Sequence, residues 1–210
     1  MFTGLVETTG KIKDISLNNL GARLSFYCNF PDTSKVKLGD SVAINGACLT
    51  ITKTDNNFYS ADIMKETLNL TNLKDLKSGD IVNIERAMTL SSRLDGHLVS
   101  GHIDTTAKVE NIKSDGFSKR INFICNNDLI ILKGSICING VSLTVSNLTE
   151  NGFEVSLIPT TINNTNLKDL KSGDIVNIEY DLIGKYVKKF LDRKQSSNIT
   201  ENFLKENGFY

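Results

Sequence analysis

The sequence has no excess charge of either sign: 24 lysines and arginines balance 24 aspartates and glutamates in 210 residues, and neither sign forms a long block. Such a surface does not draw in a polyanion or an anionic membrane, so no nucleic acid and no membrane partner is expected. Long apolar runs are missing too. None approaches the ~20 residues of a membrane-spanning helix, and the start, MFTGLVETTG, has neither the basic nor the apolar region of a secretion signal. A soluble, cytoplasmic protein is expected. Cysteine is sparse, and Cys28, Cys48, Cys125 and Cys137 include no CxxC pair. All four sit in apolar, strand-like runs where thiols pack as small hydrophobes, which argues against disulfides and against a zinc site. No GxGxxG follows a strand-like run, so a dinucleotide-binding barrel of the flavin-reductase kind is excluded.

The chain does contain a duplication. TNLKDLKSGDIVNIE occurs at residues 71–85 and again, unchanged, at 165–179, an offset of 94. The same offset aligns SVAINGACLTIT from Ser41 with SICINGVSLTVS from Ser135. Upstream, GLVETTGKI from Gly4 aligns with GHIDTTAKV from Gly101, and LSFYC from Leu24 with INFIC from Ile121, at offset 97. The second copy has lost three residues in the loop that reads FPDTSKVKLG in the first. A repeat this long is a whole domain rather than a solenoid unit. A domain so small buries a modest core and gains from pairing with its twin.

Local patterns read as β structure. Leu24, Phe26 and Cys28 alternate with Ser25 and Tyr27, and Ile121, Phe123 and Cys125 repeat the alternation, so one face of each strand is buried. Asn45-Gly46 and Asn139-Gly140 interrupt apolar runs and suit the positive φ angles of a tight turn. FYSADIM and DIVNIE supply further strands. Between them TLNLTNLKDLKSGD predicts a helical turn or two closed by Gly79. Short strands spaced by turns, twice over, predict two small antiparallel barrels and an all-β fold. The tail differs: Ile183, Tyr186, Val187, Phe190 and Leu191 share one face of an amphipathic helix that must pack on something to persist. A second short helix is predicted after Asn198, which with Glu201 forms a capping box ahead of Phe203 and Leu204, with Gly208 to end it.

MFTGLVE, the paired NGACLT and NGVSLT, GHLVSGHID and the duplicated SGDIVNIE together resemble riboflavin synthase of the alpha-chain type, from Met1 to about Lys189. The resemblance implies two tandem six-stranded Greek-key barrels, residues 1–96 and 97–184, each binding one 6,7-dimethyl-8-ribityllumazine. It implies a tail at 185–210 that holds a homotrimer together, an active site between barrels of neighbouring subunits, and a possible association with lumazine synthase. The implied reaction transfers a four-carbon unit from one lumazine to another without metal or cofactor, giving riboflavin and a ribitylamino-pyrimidinedione. Lumazine proteins of luminous bacteria, which share the fold and catalyse nothing, are the rival reading.

Two like substrates in opposite roles require pockets that differ where the copies differ. Leu5 aligns with His102, Cys48 with Ser142, Asp62 with Ser156 and Lys65 with Pro159, whereas Thr50 aligns with Thr144 and Thr67 with Thr161. His102 is the first choice for moving the proton of the lumazine C7 methyl, because imidazole titrates near neutrality; His97, the only other histidine, is a weaker candidate whose default role is structural. Ser142 is the choice for supplying or activating a nucleophile. Cys48 is its counterpart, able to attack, hydrogen-bond or simply pack. By resemblance Lys133 reaches toward the ligand to offset negative charge, and Asp181 orients a base or binds ribityl hydroxyls. The resemblance lines the first pocket with Gly4, Leu5 and Val6, with Cys48, Leu49 and Thr50, and with Asp62, Ile63, Met64, Lys65, Glu66 and Thr67. It lines the second with Gly101, His102 and Ile103, with Ser142, Leu143 and Thr144, and with Ser156, Leu157, Ile158, Pro159, Thr160 and Thr161. Hydroxyls and carboxylates at 62, 67, 156 and 161 suit the ribityl chain.

Overall fold

The structure is a computed structural model that describes residues 1–32, 36–126, 128–195 and 205–208. The first copy folds as β1 (Thr8–Asn18), β2 (Gly21–Cys28), β3 (Ser41–Ile44), β4 (Ala47–Asp55), β5 (Phe58–Met64), α1 (Lys65–Leu70), a 3-10 turn (Asn72–Asp75) and β6 (Ile81–Arg86). The second repeats it as β7 (Thr105–Asp115), β8 (Ser118–Ile124), β9 (Ser135–Ile138), β10 (Val141–Thr149), β11 (Gly152–Leu157), α2 (Pro159–Asn164), a 3-10 turn (Asn166–Asp169) and β12 (Ile175–Tyr180). Each copy closes into an antiparallel six-stranded barrel with the same cyclic order, β1-β2-β5-β4-β3-β6 and β7-β8-β11-β10-β9-β12. α3 (Leu182–Gln195) follows.

The alternation seen in the sequence becomes the barrel interior: Leu24, Phe26 and Cys28 are buried, as are Ile121 and Phe123, while Cys125 is half-buried. Rings stack inside each barrel, Phe26 on Tyr59 and Phe123 on Phe153. Closing a sheet of so few strands requires sharp bends. Register shifts occur at corresponding places in the copies, between Ile12 and Asp14 and between Val109 and Asn111, and again between Ile51 and Lys53 and between Val145 and Asn147. Such bulges increase local twist. Asn45 and Gly46 take φ of +45° and +81°, and Asn139 and Gly140 +46° and +80°, the two-residue turns expected between β3 and β4 and between β9 and β10. The helical stretch expected before Gly79 lies earlier, in α1 and the turn ending at Asp75; Gly79 instead sits in a turn that leads into β6, where its N–H donates to Ile12 O. Thr71 ties the two helical pieces together, its hydroxyl donating to Thr67 O at 2.6 Å, as Thr165 does to Thr161 O at 2.7 Å. The second short helix lies mostly outside the described residues; Lys205 and Glu206 are helical and Gly208 has φ +80°.

The barrels meet on a pseudo-twofold axis. Phe2 and Val99 exchange both backbone hydrogen bonds and share a small apolar cluster with Ala43 and Cys137. The Asn-Gly turns touch so closely that a Cβ on Gly46 or Gly140 would lie 2.8 Å from the other turn's amide nitrogen. Six asparagines surround the axis. Asn83 and Asn177, both fully buried, accept from the backbone N–H of Asn166 and Asn72, each at 2.7 Å, and donate to Asn139 O and Asn45 O, each at 2.9 Å. Asn72 and Asn166 side chains then donate across to Asn139 Oδ1 and Asn45 Oδ1. Asn72 and Asn83 belong to the repeated block of the first copy, and Asn166 and Asn177 are the same two letters in the second. Both copies of the block thus build one interface.

Replacing Asn177 by Ala strands the buried Asn72 N–H and Asn45 carbonyl, each of which costs about 1–3 kcal/mol when unsatisfied. Asn83→Ala strands their counterparts. Urea unfolding is expected to report a loss of that order for each variant, equal to within about 0.5 kcal/mol; a neutral result for either would show that the network does not hold the barrels together.

Candidate functional site

The loop of each copy that precedes its first strand crosses to the other barrel. Gly4, ahead of β1, accepts at its carbonyl from Ser142 N on β10, 2.7 Å away, and Val6 packs on the core of the second barrel. Gly101, ahead of β7, accepts from Cys48 N on β4 at 2.8 Å, and Ile103 packs on the core of the first. The assignment made from the sequence is therefore corrected: Gly101, His102 and Ile103 join Cys48, Leu49 and Thr50, whereas Gly4, Leu5 and Val6 join Ser142, Leu143 and Thr144. The cause is steric as well as hydrogen-bonded. Gly4 and Gly101 have φ of +76° and +83°, and a Cβ on either would come within 2.6 Å of the Cβ of Ser142 or Cys48.

Around the first barrel a cavity of about 230 Å³ is lined by Cys48, Glu66, Thr67, Gly101, His102 and Ile103, among others. Cys48 is half-buried here, while burial pushes Cys28 up to about 12 and Cys125 up to about 11, and holds Cys137 well above the ordinary thiol value. These three are packing residues, and all four are free thiols. His102 is exposed. Thr50, Met64 and Lys65 are exposed around the same strand end, and Leu49 and Ile63 point into the core. Asp62 accepts from Arg23 Nε at 2.7 Å and Nη2 at 3.1 Å, and this fork holds its carboxyl below the usual range. The carboxylate is thus engaged on one side, with lone pairs left for a hydroxyl.

The second barrel differs. Ser142 Oγ lies 2.6 Å from His97 Nδ1, a pairing the sequence reading missed by choosing His102 for this pocket. Copy-to-copy alignment could not have found it, because His97 lies in the linker between the aligned segments; its N–H donates to Thr3 O, which brings it over the second site. Burial lowers the His97 pKa, opposed by the charges of Asp181 and Glu179, so the ring is neutral at pH 7. Its Nε2 is buried without a hydrogen-bond partner among the described residues. Asp181 is half-buried at the start of α3, accepting from Ile183 N at 2.9 Å. Lys133 is exposed and holds φ at +64°, where the aligned residue of the first copy is Gly39 at +89°. A lysine in a conformation its twin gives to glycine is a strained residue of the kind found at ligand sites. Ser156, Ile158, Pro159 and Thr160 are exposed at the end of β11 and the start of α2, Thr161 and Leu143 are half-buried, Thr144 is exposed and Leu157 is buried.

Leu5 is exposed and lines a larger cavity, about 600 Å³, beside Arg86. That guanidinium is bound by Glu7 and Asp32 and lies over the Phe30 ring, so one wall of this space is a structural ion cluster. Among the described residues no group of side chains could hold a metal ion, and no helix is long and apolar enough to cross a membrane.

The model of the lumazine-binding domain matches twice, at residues 3–87 and 100–181. The chain is 43% identical over 216 aligned positions to riboflavin synthase of Bacillus amyloliquefaciens, covering all of both chains. It is 44% identical to that of Escherichia coli strain K12, covering 86% of this chain and 87% of the other. Solved structures of LumP superpose on it: the complex with 6,7-dimethyl-8-(1'-D-ribityl) lumazine has a TM-score of 0.78 at 27% identity, over 85% of this chain and 98% of that one. The riboflavin complex has a TM-score of 0.79 at 28% identity, over 86% and 99%. Two barrels, each with the domain's signature and each completed by the other's leading segment, together with full-length likeness to these enzymes, place the chain in the riboflavin synthase family.

Proposed function

We propose that the protein converts two molecules of 6,7-dimethyl-8-ribityllumazine into riboflavin and 5-amino-6-(ribitylamino)uracil by transfer of a four-carbon unit. The observation that carries the reading is the pairing of like shapes with unlike chemistry: corresponding crossings leave Cys48 and His102 at one site and Ser142, His97 and Asp181 at the other. One lumazine must lose a C7 methyl proton to become a nucleophile, while its partner must become an electrophile. His102, an exposed imidazole beside Cys48, suits the first task. In the tautomer with its proton on Nε2, His97 accepts from the Ser142 hydroxyl, which lets that oxygen or a water it holds add to the second lumazine. Lys133 supplies positive charge where the pyrimidine ring gains electrons. Asp62, Thr67, Ser156 and Thr161 serve the ribityl hydroxyls.

The apolar face of α3 supports assembly as a homotrimer, with the sites of neighbouring subunits meeting. Ile183, Tyr186, Val187, Phe190 and Leu191 are each more than half exposed, which an isolated chain in water does not favour. Residues 1–96, 97–184 and 185–210 serve as two ligand-binding units and an assembly tail. The balanced charge suits a cytoplasmic enzyme. Association with lumazine synthase is a further partner of this reading.

Mixing the protein with the lumazine and following absorbance is expected to show riboflavin accumulating catalytically. Bound lumazine with no riboflavin would instead identify a carrier like LumP. His97→Gln is expected to lower kcat about 10²–10⁴-fold with little change in KM. With His102 changed to Gln so that a single imidazole remains, the residual rate should fall in acid with an inflection below the ordinary imidazole value, since burial depresses the His97 pKa; this limb should disappear when His97→Gln is added, and its persistence would remove His97 from the chemistry. Phe190→Glu is expected to dissociate the assembly by light scattering and abolish turnover while each chain still binds riboflavin. Full activity from a monomeric variant would refute an active site shared between subunits.

A further inference from the structure

Glu85 and Glu179 end the two copies of the repeated block, and both are buried carboxylates that the chemistry above does not use. Glu179 Oε1 accepts from Ser100 N and Ser100 Oγ, each at 2.6 Å, and its Oε2 accepts from Gly101 N at 3.0 Å. Glu85 does the same for Thr3 N at 2.6 Å, Thr3 Oγ1 at 2.7 Å and Gly4 N at 3.0 Å. Each carboxylate therefore grips, from its own barrel, the leading segment that crosses to the other. The residue it grips carries the carbonyl that bonds the opposite ligand strand: Gly101 O to Cys48 N, and Gly4 O to Ser142 N.

We propose that these glutamates are positioning residues acting across the barrel boundary, Glu179 of the second barrel building the first ligand site and Glu85 of the first barrel building the second. The inference rests on the reading that the ligands bind at Cys48 and Ser142. Three donors converge on one carboxylate, so its shape and its charge both matter. A glutamine of equal size must turn an NH₂ toward one of those donors, which sets N–H against N–H and releases the segment. A carboxylate needed only for its own barrel would disturb its own site first; the crossed geometry predicts the reverse.

The test uses the full-length protein with riboflavin as probe and two readouts. Hydrogen exchange followed by mass spectrometry reports the amides of Cys48 and Ser142. Alkylation of Cys48 by iodoacetamide, read on the peptide that carries it, reports occupancy of the first site. Glu179→Gln is expected to speed exchange in the Cys48 peptide and raise about tenfold the riboflavin needed for half-protection of the thiol, leaving the Ser142 peptide unchanged. Glu85→Gln is expected to speed exchange at Ser142 and leave Cys48 exchange and protection as in the unmodified protein. Equal loosening of both peptides by either variant, or no change at Cys48 in Glu179→Gln, overturns the proposal. Should Glu179→Gln not fold, Ser100→Ala removes a single donor from the same carboxylate and is expected to shift Cys48 in the same direction by less; no shift counts against the latch. Failure of riboflavin to protect Cys48 in the unmodified protein would refute the ligand reading, and the exchange pattern would still decide the latch.

Discussion

Contact between the two copies across the pseudo-twofold axis is the constraint on which the rest depends. A buried amide that finds no partner costs more than a satisfied one contributes, so a polar interface of this kind needs most of its groups paired. Here the pairing comes from reciprocity: Asn83 accepts from Asn166 N, and Asn177 from Asn72 N, while the twin atoms Asn72 Oδ1 and Asn166 Oδ1 are buried without a partner among the described residues. Around the axis each asparagine has a twin performing the same task in the opposite direction. A substitution in one copy alone would break half of the set, which is a physical reason for Asn72 and Asn83 to recur as Asn166 and Asn177.

Cys48 and Ser142 take no part in the asparagine network and escape the constraint. Cys48 and Ser142 keep the same backbone bond, to Gly101 O and Gly4 O, while their side chains differ. Backbone hydrogen bonds are indifferent to the residue that makes them, so the scaffold stays symmetric as the chemistry diverges. The crossing segments extend this. Because Cys48 N is bonded by Gly101 O and Ser142 N by Gly4 O, a change in a leader reaches the opposite barrel without touching that barrel's own sheet, as His102 beside Cys48 illustrates.

Much of the fold was legible in the sequence, because the patterns that specify it are local. Alternation at Leu24, Phe26 and Cys28 and the Asn-Gly pairs at 45–46 and 139–140 each depend on residues a few positions apart, and the duplication confirmed each reading with a second copy. The crossing was not legible. Aligning Gly4 with Gly101 establishes that they are equivalent but not which barrel either touches, since a leader preceding its first strand is free to fold back or to cross. Glycine at both positions, required by positive φ and by contact with Ser142 or Cys48, marked a close approach without naming its partner. His97 ranked low for a related reason, having no counterpart in the repeat to set it against. Lys133 was singled out by the family resemblance alone, and the structure adds that it shares a positive φ with Gly39, its counterpart in the first copy.

The copies also differ where the second must support α3. In the first barrel Glu7 accepts from Arg86 N at 2.8 Å and pairs with the same residue's guanidinium, so strand β6 supplies both the amide and the cation. In the second, Asp104 accepts from Tyr180 N at the corresponding place, also at 2.8 Å, but Tyr180 has no charge to offer. The cation comes instead from Lys185 on α3, whose Nζ lies 2.9 Å from both Asp104 oxygens. The pair is only about a quarter exposed on either side, a setting in which an ion pair is screened less than on the open surface. Moving the positive charge from strand to helix thus keeps the acid satisfied and fixes how α3 leaves the barrel, with Asp181 at its start and near His97. Tyr180 in place of Arg86 and Asp181 in place of Ala87 are neighbouring departures, so the change that hands the ion pair to α3 and the one that puts a carboxylate near His97 share a single stretch of chain.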